Sequence, residues 1–591
     1  MQISSIDFYT NQLREAKENY KRLKSNLLLF SLIRLSVFLI TGLAIYLLQS
    51  TPYVPLIIGL VGFGSFLFLV SHHANLKRKK IFQGNLIDIN EKEIEFLESG
   101  KLSYANGVEF EEASHFYASD IDLFGEGSFY QLINRTSSIE GEKFLADILK
   151  ENSIDDIFNK QESVKELSEL AKWRQTYQAK VSLSGTSISQ SAVVKWLANH
   201  QAIVPKIFYY LSIVFKVLSL IGIILYTFDV ISYVPLIILF FTGLIISGVY
   251  IKKINHFSIH LSELKDVFAS YSGPIQDIEE VEFDSIICKS IQSKIISSKS
   301  KASTKLKQFS GYLNALDQRN NILFVVLGNG FLLWDITQVY KIDTWLKENV
   351  KDIESWFNSI SFFEAYNSLA NYSFNHPNYV YPVLSDSKDG LIKAESLGHV
   401  LMSEKQRINN DFLIKDNNFK IITGANMAGK STFLRTVSLS IVSANSGLPV
   451  CAKSYQYSPI KLVTSMRNTD SLQTDSSYFY SELVRLKMIV DAVDKEPYFI
   501  ILDEILKGTN SKDKEMGSIQ FVNRLSKSSS SGIIATHDLG LCEVEKSLNN
   551  IGNQYFDAEI KDNELYFDYT LKQGICQNMN ASFLLKKMGI V

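Results

Sequence analysis

The sequence has little excess charge and few cysteines. Its 591 residues carry a formal net charge of -2, so bulk charge gives no sign of a nucleic-acid binder. The four cysteines lie far apart and form no C-x-x-C pair (Cys288, Cys451, Cys542 and Cys576). Their spacing indicates neither a zinc site nor a disulfide framework, and it fits a reducing compartment.

What the chain does have is long apolar runs. Hydrophobic residues make up 46% of the sequence and charged residues 21%, which is apolar for a soluble enzyme. Four runs approach the ~20 residues that a membrane-spanning helix needs, and they lie at 27–48, 53–70, 207–228 and 234–251. Core helices of a soluble protein are the alternative, but the pairing of the runs and their lysine flanks favour membrane spans.

The four runs form two pairs that resemble each other. The sequence Tyr-Val-Pro-Leu-Ile-Ile opens the second run of each pair, at 53–58 and at 233–238. The turn within the first pair carries no basic residue. Basic residues do flank the outer ends of the pairs, namely Lys21, Arg22, Lys24, Lys77 to Lys80, Lys252 and Lys253. By the positive-inside rule, we expect two helical hairpins in the inner (cytoplasmic) membrane, with the rest of this multi-pass chain in the cytoplasm.

One cation lies within the first run of each pair, Arg34 in one and Lys216 in the other. No acidic residue lies inside any of the four runs. Because charge within a bilayer is costly, these cations either mark a transport path or are accommodated by snorkelling or by a neighbouring helix end. The second explanation is the commoner one.

A phosphate-binding motif lies in the C-terminal third. Residues 424–431 fit G-x-x-x-x-G-K-[ST] between a strand-like run and a helix-like run. Backbone N–H groups of such a loop cradle phosphate, and the following helix presents its N-terminus to the anion. We expect Lys430 to reach the β- and γ-phosphates and Ser431 to bind Mg²⁺. The predicted nucleotide-binding residues of the loop are Gly424, Ala425, Asn426, Met427, Ala428, Gly429, Lys430, Ser431 and Thr432.

Two further strand-like runs end in residues suited to nucleotide hydrolysis. Residues 498–504 are apolar up to Asp503 and Glu504, as in a Walker B strand. We expect Asp503 to hold Mg²⁺ and Glu504 to act as general base on the attacking water. The run 531–536 leads into His537, which is placed to sense the γ-phosphate or orient the water. ATP and Mg²⁺ are therefore the predicted cofactors.

These motifs resemble those of the MutS family, the DNA mismatch-repair ATPases and their relatives. Residues 423–432 are close to T-G-P-N-M-G-G-K-S-T, with Asn-Met as the hallmark. Residues 502–509 resemble the segment D-E-I-G-R-G-T-S, and residues 535–537 resemble A-T-H. The likeness covers 400–591 well and 115–180 moderately.

Two more segments carry the resemblance. Residues 470–482 resemble the stretch ending in S-T-F-x-x-E, which implies that Ser477 contacts the nucleotide of the opposite subunit. Gly398-His399 followed by Asn410 resembles the segment near the adenine, which implies that Asn410 binds the nucleotide. The family pattern is altered at several positions (Ala425, Ala428, Leu506, Lys507, Asp475, Ser476 and Tyr478). We expect these changes to leave the loop intact and to tune the dimer interface.

The expected fold combines an α/β P-loop NTPase domain, an ABC-type ATPase of the MutS kind, with an all-α MutS-like core and four membrane helices. The resemblance suggests a membrane-anchored variant that lacks the mismatch-reading domain. The expected organisation is first hairpin, start of the helical core, second hairpin, helical arms, and ATPase domain with a mainly parallel sheet (1–80, 81–200, 201–253, 254–400 and 401–591).

The expected function is that of a homodimeric ATPase whose helical arms close and open, on duplex DNA or on another partner at the membrane. The basic run from Lys289 to Lys307 can meet DNA or anionic lipid, or simply face water. The alternative is an ATP-driven transporter, channel or membrane-remodelling ATPase that does not bind DNA, although the ABC signature L-S-G-G-Q is missing. A scaffold that hardly turns over nucleotide is disfavoured by the intact Lys430, Asp503, Glu504 and His537.

Overall fold

The computed structural model of the chain describes residues 4–51, 54–184, 190–259, 261–296, 301–385, 390–425, 427–466, 478–507, 509–561 and 564–577. Up to residue 375 the named elements of the described chain are helices, and the strands follow. The helices of this first part are α1 (Ser5–Leu47), α2 (Val54–Ser99), α3 (Phe129–Ile133), α4 (Ile139–Lys150), α5 (Ile157–Glu169), α6 (Ala171–Val181), α7 (Gln190–Ala198), α8 (Lys206–Thr227), α9 (Val234–Ser258), α10 (Leu261–Glu280), α11 (Ile286–Ile295), α12 (Ala302–Asp317), α13 (Ile322–Leu332) and α14 (Trp334–Asn375).

The four predicted apolar runs all lie in helices, α1, α2, α8 and α9, and each helix is long and apolar enough to cross a membrane. The repeated sequence begins α2 at Val54 and α9 at Val234. Its proline therefore falls in the first turn, where the missing N–H has no helical partner to lose. The first hairpin extends well beyond its apolar part, since α1 and α2 run for 43 and 46 residues.

The predicted domain boundary at residue 80 falls inside α2, which continues without a break to Ser99. The basic residues after the apolar run are good helix formers, so the change in polarity does not end the helix. The polar end of α2 packs onto the helical core. Arg78 donates to the carbonyl of Ala269 at 2.7 Å, and Asn85 donates to the carbonyl of Ala179 at 3.1 Å.

A fifth apolar helix, α13, packs against the second hairpin. It meets α14 at a bend of 83°, and together the two helices form one broken span or re-entrant loop by length and composition. The Ser219 hydroxyl of α8 donates to the carbonyl of Phe331 at 2.7 Å. Gly243 of α9 lies so close that a Cβ there would be 2.4 Å from the carbonyl oxygen of Gly330. With 11 residues, α13 is too short to be predicted as a span.

Lys216 finds its partner at this bend. Its ammonium donates to the Thr337 hydroxyl at 2.9 Å, in the first turn of α14. This contact with a neighbouring helix end is one of the two ways in which the sequence predicted that the cation is accommodated.

Helix α14 is the axis of the helical core. Its 42 residues give it a length of roughly 63 Å. Aromatic rings pack along it, with Phe309 stacked on Trp345 at 4.1 Å and Phe268 edge-on to Phe309 at 4.7 Å. One end of α14 meets the second hairpin and the other leads into the first strand of the C-terminal part.

The C-terminal part contains a central sheet with the order β12-β9-β4-β8-β7-β6, parallel except for β12. This confirms the expected mainly parallel sheet. A second sheet has the order β1-β5-β2-β3, and β10 pairs with β11. The elements are β1 (Val383–Leu384), β2 (Ile392–Leu397), β3 (Asn410–Ile414), β4 (Phe419–Gly424), α15 (Lys430–Asn445), β5 (Ser454–Tyr457), β6 (Lys461–Ser465), α16 (Tyr478–Val493), β7 (Tyr498–Asp503), α17 (Ser511–Leu525), β8 (Ser531–Ala535), α18 (Leu539–Cys542), β9 (Ile551–Phe556), β10 (Glu559–Lys561), β11 (Glu564–Tyr566) and β12 (Leu571–Gln573).

The second sheet places the start of this domain earlier than residue 401. Strands β1 and β2 precede that position, yet they pair with β5 and β3. These strands are short and follow a long helix, so their polar and apolar pattern gave no sign of a change in fold. We therefore extend the C-terminal domain back to Val383.

Candidate nucleotide site

Strands β4, β8 and β7 are neighbours, so their carboxyl ends meet at one edge of the central sheet. Ligands of open parallel sheets bind at this edge. The strand order brings the loop after β4, His537 after β8 and Glu504 after β7 around one cavity of about 680 Å³. The cavity is lined by residues of the phosphate-binding loop, the Walker B strand, the His537 motif and the second sheet (among them Asn410, Ala425, Met427, Gly429, Lys430, Ser431, Thr432, Asp503, Glu504, Lys507, His537 and Tyr569).

The backbone of the phosphate-binding loop needs glycine at two positions. Gly424 has φ +151°, and a Cβ there would lie 2.6 Å from the carbonyl oxygen of Phe556. Gly429 has φ +101° immediately before α15. Of the altered positions, Ala428 is fully buried and Ala425 partly buried, so both alanines are accommodated. Met427 lies at the cavity with an exposed side chain, whereas Asn426 lies outside the described residues.

Lys430 is folded back over the loop. Its ammonium donates to the carbonyls of Gly424 at 2.8 Å and Ala425 at 3.0 Å. Burial lowers the pKa of Lys430, while the carboxylates of Asp503 and Glu504 oppose that shift. A buried ammonium whose closest contacts are two carbonyl groups, and which has no carboxylate of the described residues bound to it, is suited to bind an anion that enters the cavity.

Ser431 and Asp503 form the predicted metal pair. The Ser431 hydroxyl donates to Asp503 Oδ2 at 2.6 Å. Within the described ranges there is no group of three or more His, Cys, Asp or Glu side chains that could hold a metal ion. Mg²⁺ at nucleotide sites is typically bound by one or two protein ligands together with phosphate oxygens and water, so a hydroxyl and a carboxylate at the loop suit it.

Glu504 and His537 are in direct contact. His537 Nε2 lies 2.8 Å from Glu504 Oε1 and 3.1 Å from Lys430 Nζ. One ring nitrogen cannot donate to the carboxylate and accept from the ammonium at once, so the shorter contact assigns a proton to Nε2. The hydrogen bond from His537, helped by Lys507 at 3.4 Å, lowers the pKa of Glu504 to about 2. Glu504 is therefore a carboxylate with one oxygen held in place.

The backbone after β7 is held by a residue that the sequence did not single out. Glu504 and Leu506 both have left-handed φ values, +53° and +59°, which are uncommon outside glycine. The buried carboxylate of Glu482 accepts from the N–H of Leu506 and from that of Lys507. Glu482 ends the stretch that resembles S-T-F-x-x-E, but its role as a cap for this loop depends on long-range packing.

Asn410 and Tyr569 close the other end of the cavity. Asn410 lines it, but its amide donates to the carbonyl of Tyr569 at 3.0 Å and accepts from the N–H of Leu571 at 2.7 Å. Asn410 thus positions the segment before β12. The Tyr569 ring would lie 3.1 Å from a Cβ on Gly429. Tyr569 has no motif around it and was not predicted. Ser477, the predicted contact to the opposite subunit, lies outside the described residues.

The helix after the phosphate-binding loop is tied to the helical core. Arg435 of α15 forms an ion pair with Asp122 at 3.0 Å and donates to the carbonyl of Asp120 at 3.2 Å. Arg485 of α16 donates to the carbonyl of Phe116 at 2.7 Å. The start of the predicted core region at residue 115 therefore lies directly on the nucleotide-binding domain.

Comparison with known proteins finds relatives of the C-terminal domain. The family model for MutS domain V matches residues 420–586. The chain is 29% identical over 188 residues to MutS protein homolog 4 of Homo sapiens, a match that covers 30% of this chain and 20% of that protein. It is 29% identical over 235 residues to the DNA mismatch repair protein MutS of Finegoldia magna, covering 38% of this chain and 27% of the relative.

The DNA mismatch repair protein MutS of Aquifex pyrophilus is 31% identical over 173 residues, covering 29% of this chain and 20% of that protein. The chain thus spans about a fifth to a quarter of the length of the curated relatives it matches.

Proposed function

Because this chain belongs to the MutS family through its C-terminal domain, we propose that it is a membrane-anchored ATPase that works as a homodimer. The observation that carries the proposal is the convergence of Lys430, Ser431, Asp503, Glu504 and His537 on one cavity. Together these five side chains can bind phosphate and metal and activate water for phosphoryl transfer, and each lies within hydrogen-bond distance of another member.

The roles follow from the contacts. Lys430 exchanges the carbonyls of Gly424 and Ala425 for the β- and γ-phosphates of ATP. Ser431 and Asp503 would hold Mg²⁺, which would neutralise phosphate charge. Glu504 polarises the attacking water with the carboxylate oxygen that His537 does not occupy, and His537 fixes its orientation. The left-handed backbone held by Glu482 aims Glu504 at the cavity.

Dimerisation is proposed through the ATPase domains. The resemblance to the MutS family implies that the segment with Ser477 reaches the nucleotide of the opposite subunit. Helix α16 begins at Tyr478, the next residue. Glu482 on the first turns of α16 connects the segment to the Walker B loop of its own chain. A nucleotide bound in trans at Ser477 would therefore be coupled to the position of Glu504.

Duplex DNA is the proposed partner of the helical arms, because relatives that match this domain are named DNA mismatch repair proteins. The arms are α10 to α14. In the sequence, the second hairpin separates them from the earlier helices of the helical core. We place the chain in the inner membrane through α1, α2, α8 and α9, with the ATPase domain in the cytoplasm. The apolar windows of α1 and α2 bury none of their residues in the protein, which supports contact with lipid.

A transporter or channel is the second candidate, and one observation favours it. Helix α13 and the start of α14 form a bent pair against the second hairpin, with Lys216 bound at the bend. Broken helices within membrane proteins often line a substrate path. ATP-dependent solute flux into vesicles that contain the chain, without any binding of duplex DNA, would favour this candidate.

The Lys430→Ala variant tests the proposed ATPase activity. The control is Lys453→Ala, which removes an exposed lysine of the same domain. We expect Lys430→Ala to abolish ATP hydrolysis in the detergent-solubilised dimer and Lys453→Ala to retain it. Full activity of Lys430→Ala would overturn the site. For DNA, we expect binding of a short duplex whose affinity falls steeply with salt, and failure to bind with or without ATP would remove the DNA partner.

A further inference from the structure

A second cleft, of about 810 Å³, lies where the first hairpin leaves its apolar segment. One wall is α2 from His72 to Phe82, and the other walls come from α10, from α12 with Lys301 before it, and from the end of α6. The cleft contains five cations and one carboxylate, Glu280 (the cations are Arg78, Lys79, Lys180, Lys301 and Lys307). These residues are far apart in the sequence and come together only through the packing of the hairpin onto the core.

Most of this positive charge is not neutralised by the protein. Lys180 is paired with Asp277. The Arg78 guanidinium donates to a carbonyl, that of Ala269, and Glu280 accepts from the amide of Gln276 at 2.7 Å. Among the described residues, no carboxylate lies within ion-pair distance of Lys79, Lys301 or Lys307. The cleft is therefore suited to a ligand that brings negative charge.

The position of the cleft identifies the class of ligand. His72 follows the apolar run of α2 directly, and Lys79 lies about 10 Å further along the helix. The headgroup region extends several ångströms beyond the hydrocarbon core, and lysine side chains reach toward it. The apolar side chains just before the cleft, Leu67 and Phe68, are exposed as they would be against lipid.

The second hairpin repeats this arrangement. A cleft of about 640 Å³ at the end of α9 is lined by Lys252, Lys253 and Trp196. The ring of Trp196 stacks on Phe257 at 5.3 Å. Tryptophan and lysine at the end of a membrane helix are typical of the interface with lipid headgroups. Two hairpins with the same kind of cationic cleft at the same end point to one kind of ligand.

We propose that the cleft between α2, α10 and α12 binds the phosphate-bearing headgroup of an anionic phospholipid from the cytoplasmic leaflet. Lys301, directly before α12, and Lys307 of α12 bind the phosphate from the core side, and Arg78 and Lys79 bind it from the hairpin side. The ligand thereby joins the membrane hairpin to an arm helix. This inference rests on the proposed membrane insertion of the first hairpin and is independent of ATP hydrolysis.

The test uses the full chain in a neutral detergent, titrated with a fluorescent phosphatidylglycerol and, separately, with a fluorescent phosphatidylcholine. The informative variant is Lys301→Gln/Lys307→Gln, because these lysines do not flank α1, α2, α8 or α9 and their removal leaves the basic flanks of both hairpins intact. The matched control is Lys512→Gln/Lys527→Gln, two exposed lysines of the ATPase domain. Lys301→Arg/Lys307→Arg restores the charge.

We expect saturable binding of phosphatidylglycerol that the Gln pair weakens about 10- to 30-fold, with no loss in the control pair or the Arg pair. Equal binding of the two lipids, or an unchanged Gln pair, would overturn the proposal. Inorganic phosphate and duplex DNA serve as competitors. Displacement of the lipid by millimolar phosphate would assign the cleft to free phosphate, and displacement by DNA would assign it to nucleic acid.

Failure of this inference can be told apart from failure of the proposed function. Lys430→Ala is expected to bind phosphatidylglycerol normally while it loses ATP hydrolysis. If the chain stays dissolved without detergent and does not enter vesicles, the membrane proposal itself is wrong. If it inserts but shows no preference for anionic lipid, only the inference about the cleft is wrong.

Discussion

The hydroxyl of Tyr9 donates to Asn375 Oδ1 at 2.8 Å, across a sequence separation of 366 residues. Tyr9 lies at the start of α1, whose other end is the first apolar run, and Asn375 is the last residue of α14, whose other end meets Lys216 of the second hairpin. The first hairpin is therefore linked through Tyr9, and the second through the Lys216 contact with α14, to a helix that ends at Asn375, shortly before the C-terminal domain.

This junction is held by a buried ion pair, which gives the first prediction. Glu93 pairs with Arg135, both at most 5% exposed, and also accepts from Asn371 and Asn375. Glu93→Ala leaves the Arg135 guanidinium buried without its carboxylate, so we expect a loss of about 3–5 kcal/mol in the free energy of unfolding. Denaturant unfolding of the detergent-solubilised chain measures it.

The control is Glu91→Ala on the same helix. Glu91 pairs with Lys17 at 2.7 Å, but both side chains are more than half exposed. Exposed pairs contribute at most about 1 kcal/mol, so we expect this variant to unfold nearly as the unsubstituted chain does. Equal losses in the two variants would show that the junction does not depend on its buried pair.

The second prediction concerns the contact of α13 with the second hairpin. A Cβ at Gly243 would lie 2.4 Å from the carbonyl oxygen of Gly330, whereas Gly248 on the same helix has no atom within 4 Å of its Cβ position. We expect Gly243→Ala to push α13 away and lower the melting temperature in detergent. Gly248→Ala should raise helix propensity without a clash. If both alanine variants melt alike, α13 does not pack on α9 as described.

The third prediction is a pH dependence of stability from Glu364. It is buried and accepts from the N–H groups of Ser137 and Ser138, yet burial raises its pKa from 4.5 to about 7. A carboxyl whose pKa is raised on folding contributes stability below its unfolded pKa, and this contribution is lost as the pH rises toward the folded pKa. We expect a loss on the order of 3 kcal/mol between about pH 4.5 and 7.

Glu364→Gln isolates this contribution. His376 and His399 have pKa values lowered to about 4 by burial, so they favour the folded state as the pH rises over part of the same range. The difference in unfolding free energy between the unsubstituted chain and Glu364→Gln removes these effects. A difference that stays constant from pH 4.5 to 7.5 would contradict the assignment to Glu364.

The sequence predicted those parts of the structure that depend on residues within one continuous segment of the chain. A phosphate-binding loop needs particular residues at fixed spacing, so the loop at Gly424 to Ser431 could be predicted from the sequence. The helices of the hairpins could be predicted from the length of their apolar runs. Glu482 and Tyr569 could not be assigned roles, because each reaches the site through packing between segments distant in the chain. Helix α13 has too few apolar residues to be predicted as a membrane span. Its position beside α9 depends on the close contact between Gly243 and Gly330.

The fourth prediction separates binding from hydrolysis at Glu504. Glutamine keeps the shape of this side chain but cannot take up a proton from water, so Glu504→Gln should bind ATP with Mg²⁺ and stall before hydrolysis. We expect kcat to fall by about 100-fold or more, while the ATP dissociation constant changes by less than about threefold. Unchanged turnover would remove Glu504 as the general base.

The last prediction tests how His537 acts. The hydrogen bond from His537 is the main reason why the pKa of Glu504 is lowered to about 2, so Glu504 stays ionised throughout the working range of pH. His537→Ala removes that bond, and the pKa of Glu504 then rises toward its ordinary value near 4.5, with Lys507 still opposing the rise. We therefore expect the residual kcat of His537→Ala to fall between pH 6 and pH 4.5 more steeply than that of the unsubstituted enzyme. An equal fall in both would mean that His537 acts on the nucleotide rather than through the carboxylate, since removal of the hydrogen bond would then have left the protonation of Glu504 unchanged.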